Sequence, residues 1–511
     1  MTLPASLAAN PLPDSMEAHD RRLVSHVRPP GWVNPRAKDR YHLVVIGAGT
    51  AGLVSAAGAA GLGATVAIVE RHRMGGDCLN VGCVPSKGVI GAARAWAAAR
   101  GARHDFHGPA VEGVGDFGAA MERMRRIRAD LSPLDGASRF RDLGVDVFLG
   151  QGTFVGPDRV EVGSQVLRFR RAVIATGARA AAPPVPGLAS VPYLTNESVF
   201  SLTELPRRLL VIGGGPIGCE MAQSFARFGS VVTLIDLAAQ VLPREDADAA
   251  SVVQDAMRKD GVQFSLDSEI RDVSQRGTEI VVRVQRAGRE EEITGDQLLV
   301  AVGRAPNVEG MGLEAAGVRY GKGGVAVDDT FRTSNRRIFA CGDVSSRLQF
   351  THAADFQARA VVQNAFFFGR KKASRMVVPW ATYTSPEIAH VGHTEASARA
   401  AGIAVQTIDV PMHDVDRACL DGRSEGFARV HVRAGKGTIL GATIVAEHAG
   451  DLISEVTLAM TSGLGLGAIG ATIHPYPTHA EVLRKAADAY NRTRLTPAVK
   501  SLFRGWFKLF S

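Results

Sequence analysis

Apolar positions along the chain follow two periods. Near the start of the ordered pattern, the run HLVVI (42–46) stops at the glycine-rich turn GAGTAG (47–52). A small-residue stretch, LVSAAGAAGLG, and a second apolar run, TVAIV, follow, ending at Glu70. This reads as strand, tight turn, helix, strand. Leu43 to Val69 carries no charge and is long enough to cross a bilayer, but six glycines divide it into those four pieces. A soluble nucleotide-binding unit is therefore expected there rather than a membrane span.

The pattern repeats. RLLVI (208–212) runs into a second glycine turn, a helix and a second strand that ends at Asp236. Gly47, Gly49 and Gly52 open the first copy; Gly213, Gly215 and Gly218 open the second. Glu70 and Asp236 each follow the first glycine of their copy by 23 residues. One such motif is weak evidence of nucleotide binding, but two with the strand, helix and acid at one offset are strong. The first glycine makes the turn, the second admits a pyrophosphate, and the third packs helix on strand; the acid accepts from ribose hydroxyls. A further echo, RAVIATGARAAAPPVPG (171–187) and DQLLVAVGRAPNVEG (296–310), is expected to close each unit. Asp236 accepts from a 2′-hydroxyl and repels a 2′-phosphate, and LAAQ (237–240) brings no cation. NADH is favoured, with NADPH as the alternative.

From residue 373 the pattern changes to alternating runs, FARVHVRA and GTILGATIVA, followed by helical periodicity in DLISEVTLAMTSG and the turn HPYPTHAE (474–481). That is a separate α+β unit. Residues 1–40 are polar, contain prolines and show no periodicity, so they read as a mobile tail. In residues 496–511, Leu502, Phe503, Trp506, Phe507 and Phe510 share one helical face, and Lys500, Arg504 and Lys508 the other. Docking on the chain's own third unit is the favoured reading, with contact to an anionic membrane surface as the alternative.

Composition adds little that conflicts. A chain of 511 residues, 46% hydrophobic and 22% charged, suits two to four globular domains. The net charge of +8 suits a field that attracts anionic cofactors, and no nucleic-acid partner is called for. No basic-then-apolar leader opens the sequence. Five cysteines are too few and too scattered for a stapled secreted fold, which points to a reducing, cytoplasmic setting with one special pair.

That pair is Cys78 and Cys83 in GGDCLNVGCVPSK (75–87). No second Cys or His cluster stands at zinc spacing, so no metal site is assigned. Buried structural thiols are the plain alternative. Dense glycine favours close approach to a ligand, and Lys87 lowers a nearby thiol pKa. Cys219 and Cys341 read as packed thiols.

Taken together, these motifs closely resemble the class I pyridine nucleotide-disulfide oxidoreductases, among them glutathione reductase, dihydrolipoamide dehydrogenase and mercuric reductase. The resemblance covers roughly residues 41–495. It includes the ATG turn with Thr176 and Gly177, GRAPN from Gly303, TSNRRIFACGDV with Asp343, and WATYTSPEIAHVG (380–392). It implies two Rossmann-like domains and an α+β dimerisation domain: FAD binding at 41–195 and 326–372, NAD(P) binding at 196–325, and dimerisation at 373–495. It also implies a homodimer acting on a small oxidised substrate. Cys83 would be the thiol facing the flavin and Cys78 the interchange thiol. Lys87 would lie near the flavin, paired with Glu220. Electrons would pass from NAD(P)H through FAD to the cysteine disulfide and on to a disulfide or other thiol-reactive substrate.

The resemblance departs from its pattern at 474–481. Disulfide reductases of the family carry a base histidine there, supplied by the partner subunit. Here Glu481 matches the family's glutamate, but Tyr476 takes the histidine's slot, and His474 and His479 stand beside it. Mercuric reductases have tyrosine at this point, but also a terminal cysteine pair, whereas no cysteine follows Cys419 here. The expected activity is thus a reductase in the mercuric-reductase-like branch. Mercuric reduction itself, dihydrolipoamide dehydrogenation and a non-turnover redox sensor are the alternatives.

Overall fold

The computed structural model describes residues 18–111, 115–367 and 369–510. Its first layer is a sheet built around Tyr41–Ile46. Val66–Glu70 and then Val145–Leu149 pair parallel on one side, and Gln165–Ile174 pairs parallel on the other. Much later in the chain, Ile338–Ala340 returns to lie parallel beside Gln165–Ile174. Leu43, Val44, Val45 and Ile46 point alternately into two apolar clusters, one on each face, which is why the run is continuously apolar.

The segment read as a mobile tail is packed from residue 18 onward; residues 1–17 lie outside the described residues. Helix α1 (Ala18–Val27) buries Leu23, Val24 and Val27. Beyond it, Trp32 Nε1 donates to the Val147 carbonyl at 3.2 Å, and Asn34 exchanges two hydrogen bonds with the Leu149 backbone. Three apolar positions in a short helix leave too faint a period to detect, and contacts more than a hundred residues away leave none.

Helix α2 (Thr50–Gly61) buries Ala51, Gly52, Leu53, Ser55, Ala56 and Ala59, so it lacks the polar face of a surface helix. Helix α3 (Cys83–Phe106) starts at the second cysteine. A second parallel sheet runs Gln263–Ser265, Val231–Ile235, Arg208–Ile212, Gln297–Val300. Helix α4 (Pro216–Phe228) follows its glycine turn. Helix α5 (Thr351–Phe366) closes over α2.

A five-stranded antiparallel sheet forms the third unit, in the order Trp380–Thr382, Glu387–Gly392, Ile439–Ala446, Phe427–Arg433, Val405–Pro411. Helix α6 (Glu481–Thr493) buries Val482, Leu483, Ala486, Ala487 and Tyr490 in its core. Helix α7 (Pro497–Phe507), capped by the Thr496 hydroxyl, buries no residue at all. The expected docking on the third unit is therefore not seen, because its apolar face meets no counterpart among the described residues. Among the described residues, no helix is long and apolar enough to cross a membrane.

Candidate active site

One cavity of about 2560 Å³ runs from the first glycine turn past the cysteines to the second glycine turn. It is well beyond the size of a pocket for one small ligand. Gly47, Gly49, Glu70, Thr176, Gly177 and Asp343 line one end, and Gly213, Gly215, Asp236 and Gly303 the other. Cys78, Cys83, Lys87 and Glu220 lie between them.

Gly52 and Gly218 do not line the cavity. A Cβ on either would come within 1.8 Å of the first glycine's carbonyl oxygen, so both are needed to seat helix on turn. Gly49 and Gly215 behave differently. A Cβ on Gly215 meets no protein atom within 4 Å, and one on Gly49 meets only the Gly76 Cα at 3.6 Å. The open backbone faces the cavity, which fits a pyrophosphate at each turn.

The two acids fit ribose binding. Glu70 accepts the Ala48 and His72 amides, each at 2.7 Å, and burial pushes its carboxyl up against those bonds. Asp236 accepts the Gly214 amide on one oxygen and the Ala238 amide on the other at 2.7 Å. Thr176 and Asn307 exchange two bonds that fix the ATG turn, the hydroxyl donating at 2.8 Å and the Asn307 amide at 2.9 Å. Asp343 is joined 3.4 Å away by Arg304, which also binds Asp77 beside the cysteine loop. Burial raises the Asp343 pKa and Arg304 opposes it. The residues present thus fit an FAD and a nicotinamide dinucleotide.

The cysteine loop is pinned to the first turn. Gly76 has φ +57, and a Cβ there would sit 2.6 Å from the Gly49 Cα, so only glycine lets the two loops touch. Asn80 Nδ2 then donates to the Met74 and Gly76 carbonyls at 3.0 and 2.8 Å. Both cysteines are free thiols within hydrogen-bonding reach of each other.

Their environments diverge. The hydrogen bond from Cys78, with smaller help from the Thr351 hydroxyl at 3.3 Å and from Lys87, pulls Cys83 down to about 6 against the desolvation that opposes it. Cys83 also sits in the first turn of α3, where the helix dipole favours a thiolate. Cys78 is pushed up, first by holding its proton toward Cys83 and then by burial.

Lys87 Nζ binds Glu220 Oε2 at 2.9 Å and lies 4.5 Å over the Tyr383 ring. Burial acts against its charge, but Glu220 and Cys83 outweigh that, and the pKa is raised. Glu220 is 5% exposed; its second oxygen accepts the Tyr383 amide at 2.9 Å.

Thr351 escaped the sequence reading, since it belongs to no spaced motif; Tyr383 stood in the quoted segment 380–392, but nothing there marked it as a contact of Lys87. Arg304 stood in the quoted GRAPN turn, but nothing in the sequence marked it as a bridge to Asp77. Cys219 and Cys341 are buried, and desolvation pushes both thiols up, Cys341 to about 12.

His474, Tyr476, His479 and Glu481 do not reach this cavity. They gather around one edge of the third unit. His474 binds Glu455 at 3.0 Å, His479 binds Asp421 at 3.1 Å, and the exposed Tyr476 hydroxyl donates to Asp416 at 2.9 Å. Glu481 is buried, and one of its carboxylate oxygens lacks a hydrogen-bond partner among the described residues. Among the described residues, no three His, Cys, Asp or Glu side chains cluster as metal ligands.

Comparison with known proteins agrees with this geometry. Residues 41–358 match the model of the pyridine nucleotide-disulphide oxidoreductase family, and 378–487 match its dimerisation domain. The chain is 34% identical over 478 residues to a mercuric reductase of Bacillus cereus, covering 93% of this chain and 75% of that one. It is 31% identical over 466 residues to a dihydrolipoyl dehydrogenase of Bacillus subtilis, covering 88% and 98%. The solved HOCl-induced flavoprotein disulfide reductase RclA of Escherichia coli superposes with a TM-score of 0.79 at 29% identity, covering 88% and 99%. With two nucleotide ends, a cysteine pair between them and these relatives across nearly its whole length, the chain belongs to the pyridine nucleotide-disulphide oxidoreductase family, FAD-dependent enzymes that draw electrons from NAD(P)H.

Proposed function

We propose that Cys78 and Cys83 are the redox-active pair of an NADH-dependent reductase whose substrate is a disulfide or another thiol-reactive species, a thiophilic metal ion included. The observation that carries this reading is the split between the two thiols: Cys83 is drawn down to about 6, beside a cation, while Cys78 keeps its proton.

Bound FAD supplies two-electron transfer from the nicotinamide to the Cys78–Cys83 disulfide. Opening that disulfide leaves a thiolate on Cys83, held by Lys87, Thr351 and the Cys78 proton. Cys78 must then lose that proton. Its sulfur attacks one sulfur of a substrate disulfide, forming a mixed disulfide and releasing one thiolate. The Cys83 thiolate attacks the Cys78 sulfur, closes the intramolecular disulfide and releases the second thiolate, which takes up the proton that left Cys78.

The Cys78 proton needs an acceptor, and His352, which follows Thr351 on the cavity wall, has its Nε2 engaged by the Pro379 carbonyl at 2.7 Å. The 474–481 element of a second copy is the proposed source, which makes the homodimer the working unit. Asp236 supports preference for NADH, and the thiol chemistry suits a reducing, cytoplasmic setting.

Tyr476 favours a second reading. A phenol is a poor base but can face a metal, as the mercuric reductase relatives suggest, so mercuric ion is a candidate substrate.

Anaerobic NADH titration tests the core of the proposal. A long-wavelength thiolate-to-flavin band is expected after two electrons, lost in Cys83→Ser. Turnover of mercuric ion, cupric ion, lipoamide, glutathione disulfide and coenzyme A disulfide then ranks substrates. Full turnover in Cys83→Ser would falsify the assignment.

A further inference from the structure

Helix α7 has no role in the chemistry above, and the family's dimerisation region ends at residue 487, before it begins. Its bulky apolar side chains are exposed: Leu502 is 71% exposed, Trp506 55% and Phe507 65%, and Phe510 just beyond its end 72%. Single exposed apolar residues are ordinary, but a continuous aromatic face on one helix is not.

The charges say what covers that face. No acidic residue follows Asp488, whereas Arg492, Arg494, Lys500, Arg504 and Lys508 do. Two copies of α7 packed by their apolar faces would leave these cations on the outer side, with no acidic side chain of the same segments to match them. An acidic, apolar-cored surface resolves both features at once. At 1.5 Å per residue the helix is about 16 Å long, too short to cross a bilayer, so it would lie in the plane of the surface. Phe and Trp at the acyl boundary with Lys and Arg toward phosphates is the composition of an interfacial anchor.

We propose that α7 seats this enzyme on bilayers rich in anionic phospholipid, with Leu502, Phe503, Trp506, Phe507 and the following Phe510 entering the headgroup boundary and Lys500 and Arg504 facing the phosphates.

The test uses the FAD-loaded full chain and two vesicle types, phosphatidylcholine alone and an equal mixture with phosphatidylglycerol. Sedimentation with the mixed vesicles is expected, with little on phosphatidylcholine, and release by high salt. Lys500→Glu/Arg504→Glu is expected to lower partitioning by about tenfold or more. Trp506→Glu/Phe507→Glu is expected to abolish it. These side chains are exposed, so thermal midpoint and turnover should not move in either variant. Absence of wild-type sedimentation, or sedimentation that both variants retain, overturns the proposal. So does conversion of a dimer to a monomer by Trp506→Glu/Phe507→Glu in analytical ultracentrifugation, which would make α7 a contact between copies.

Discussion

Lys87 and Glu220 meet at 2.9 Å across 133 residues, joining the helix that starts at Cys83 to the helix behind the second glycine turn. This ion pair adds a polar tie between the cysteine loop and the second glycine turn to the apolar packing of the two helices. Lys87→Met removes a cation that favours the Cys83 thiolate. Its apparent pKa is expected to rise from about 6 by about one unit. Thiolate absorbance of the reduced holoenzyme against pH measures this. Buried Glu220 is left with only the Tyr383 amide, at a cost of about 2–3 kcal/mol, the low end because Lys87 is itself partly exposed.

The same thiol sets a stability window. Cys83 titrates at about 6 in the fold, against about 8.5 for an ordinary thiol. A depressed pKa stabilises the fold fully above the unfolded value, and that contribution is lost as pH falls through the folded one. The reduced protein should therefore lose stability between about 8.5 and 6, while the oxidised protein, with no titrating thiol, should not. Chemical denaturation of both forms across this range decides it; matching slopes would remove the assignment.

The glycines of the first turn should separate by phenotype. Gly52→Ala places a Cβ 1.8 Å from the Gly47 oxygen and should cost about 3 kcal/mol or more. Gly49→Ala meets only the Gly76 Cα at 3.6 Å, so the chain should fold but retain FAD about tenfold less tightly or worse. Thermal melts and flavin release on dilution measure the two effects.

In the proposed reading Asp236 sets the preference for NADH, and its neighbour Leu237 is 70% exposed. Asp236→Ser with Leu237→Arg removes the repelling carboxylate and adds a cation for a 2′-phosphate. The ratio of kcat/KM for NADH over NADPH should fall by about tenfold or more. The backbone amides of Gly214 and Ala238 lose an acceptor as well, so kcat with NADH should also drop.

Residues 18–40 are expected to matter for both stability and flavin. Leu23→Ala opens a buried site and should cost about 2–5 kcal/mol. Arg28 donates to the Arg71 and His72 carbonyls at 2.9 and 2.6 Å, just past Glu70. Arg28→Ala should therefore loosen FAD with little change in melting temperature, which flavin fluorescence on release would report.

Both glycine turns and the cysteine pair were readable because each is a local pattern: a glycine turn between apolar strands with an acid at fixed offset, or two cysteines five residues apart amid glycines. What was unreadable is what distance in sequence hides. Thr351 reaches Cys83 across 268 residues and Arg304 reaches Asp77 across 227, and neither stands in a motif that points to its partner. Helix α1 was missed because three buried positions in ten residues make no convincing period. The amphipathicity of α7 was plain, but a sequence shows which face is apolar, not what covers it.

The placement of His474, Tyr476 and His479 away from the cavity leads to the last prediction. If a second copy delivers these side chains to Cys78, two inactive variants should complement each other. One carries Cys78→Ser; the other carries His474→Asn, Tyr476→Phe and His479→Asn, chosen to keep the volumes that pack around Glu455, Asp416 and Asp421. Each homodimer should be nearly silent with a disulfide substrate. A hybrid dimer has one site built from an intact cysteine pair and an intact element, and another in which both are damaged. Random assembly of equal amounts makes half the dimers hybrid, so activity should return to about a quarter of wild type. Recovery should require subunit exchange and should not appear when preformed dimers are merely mixed. No recovery after exchange would place the proton acceptor within the same chain, and His352, beside Thr351 on the cavity wall, would be the residue to change next.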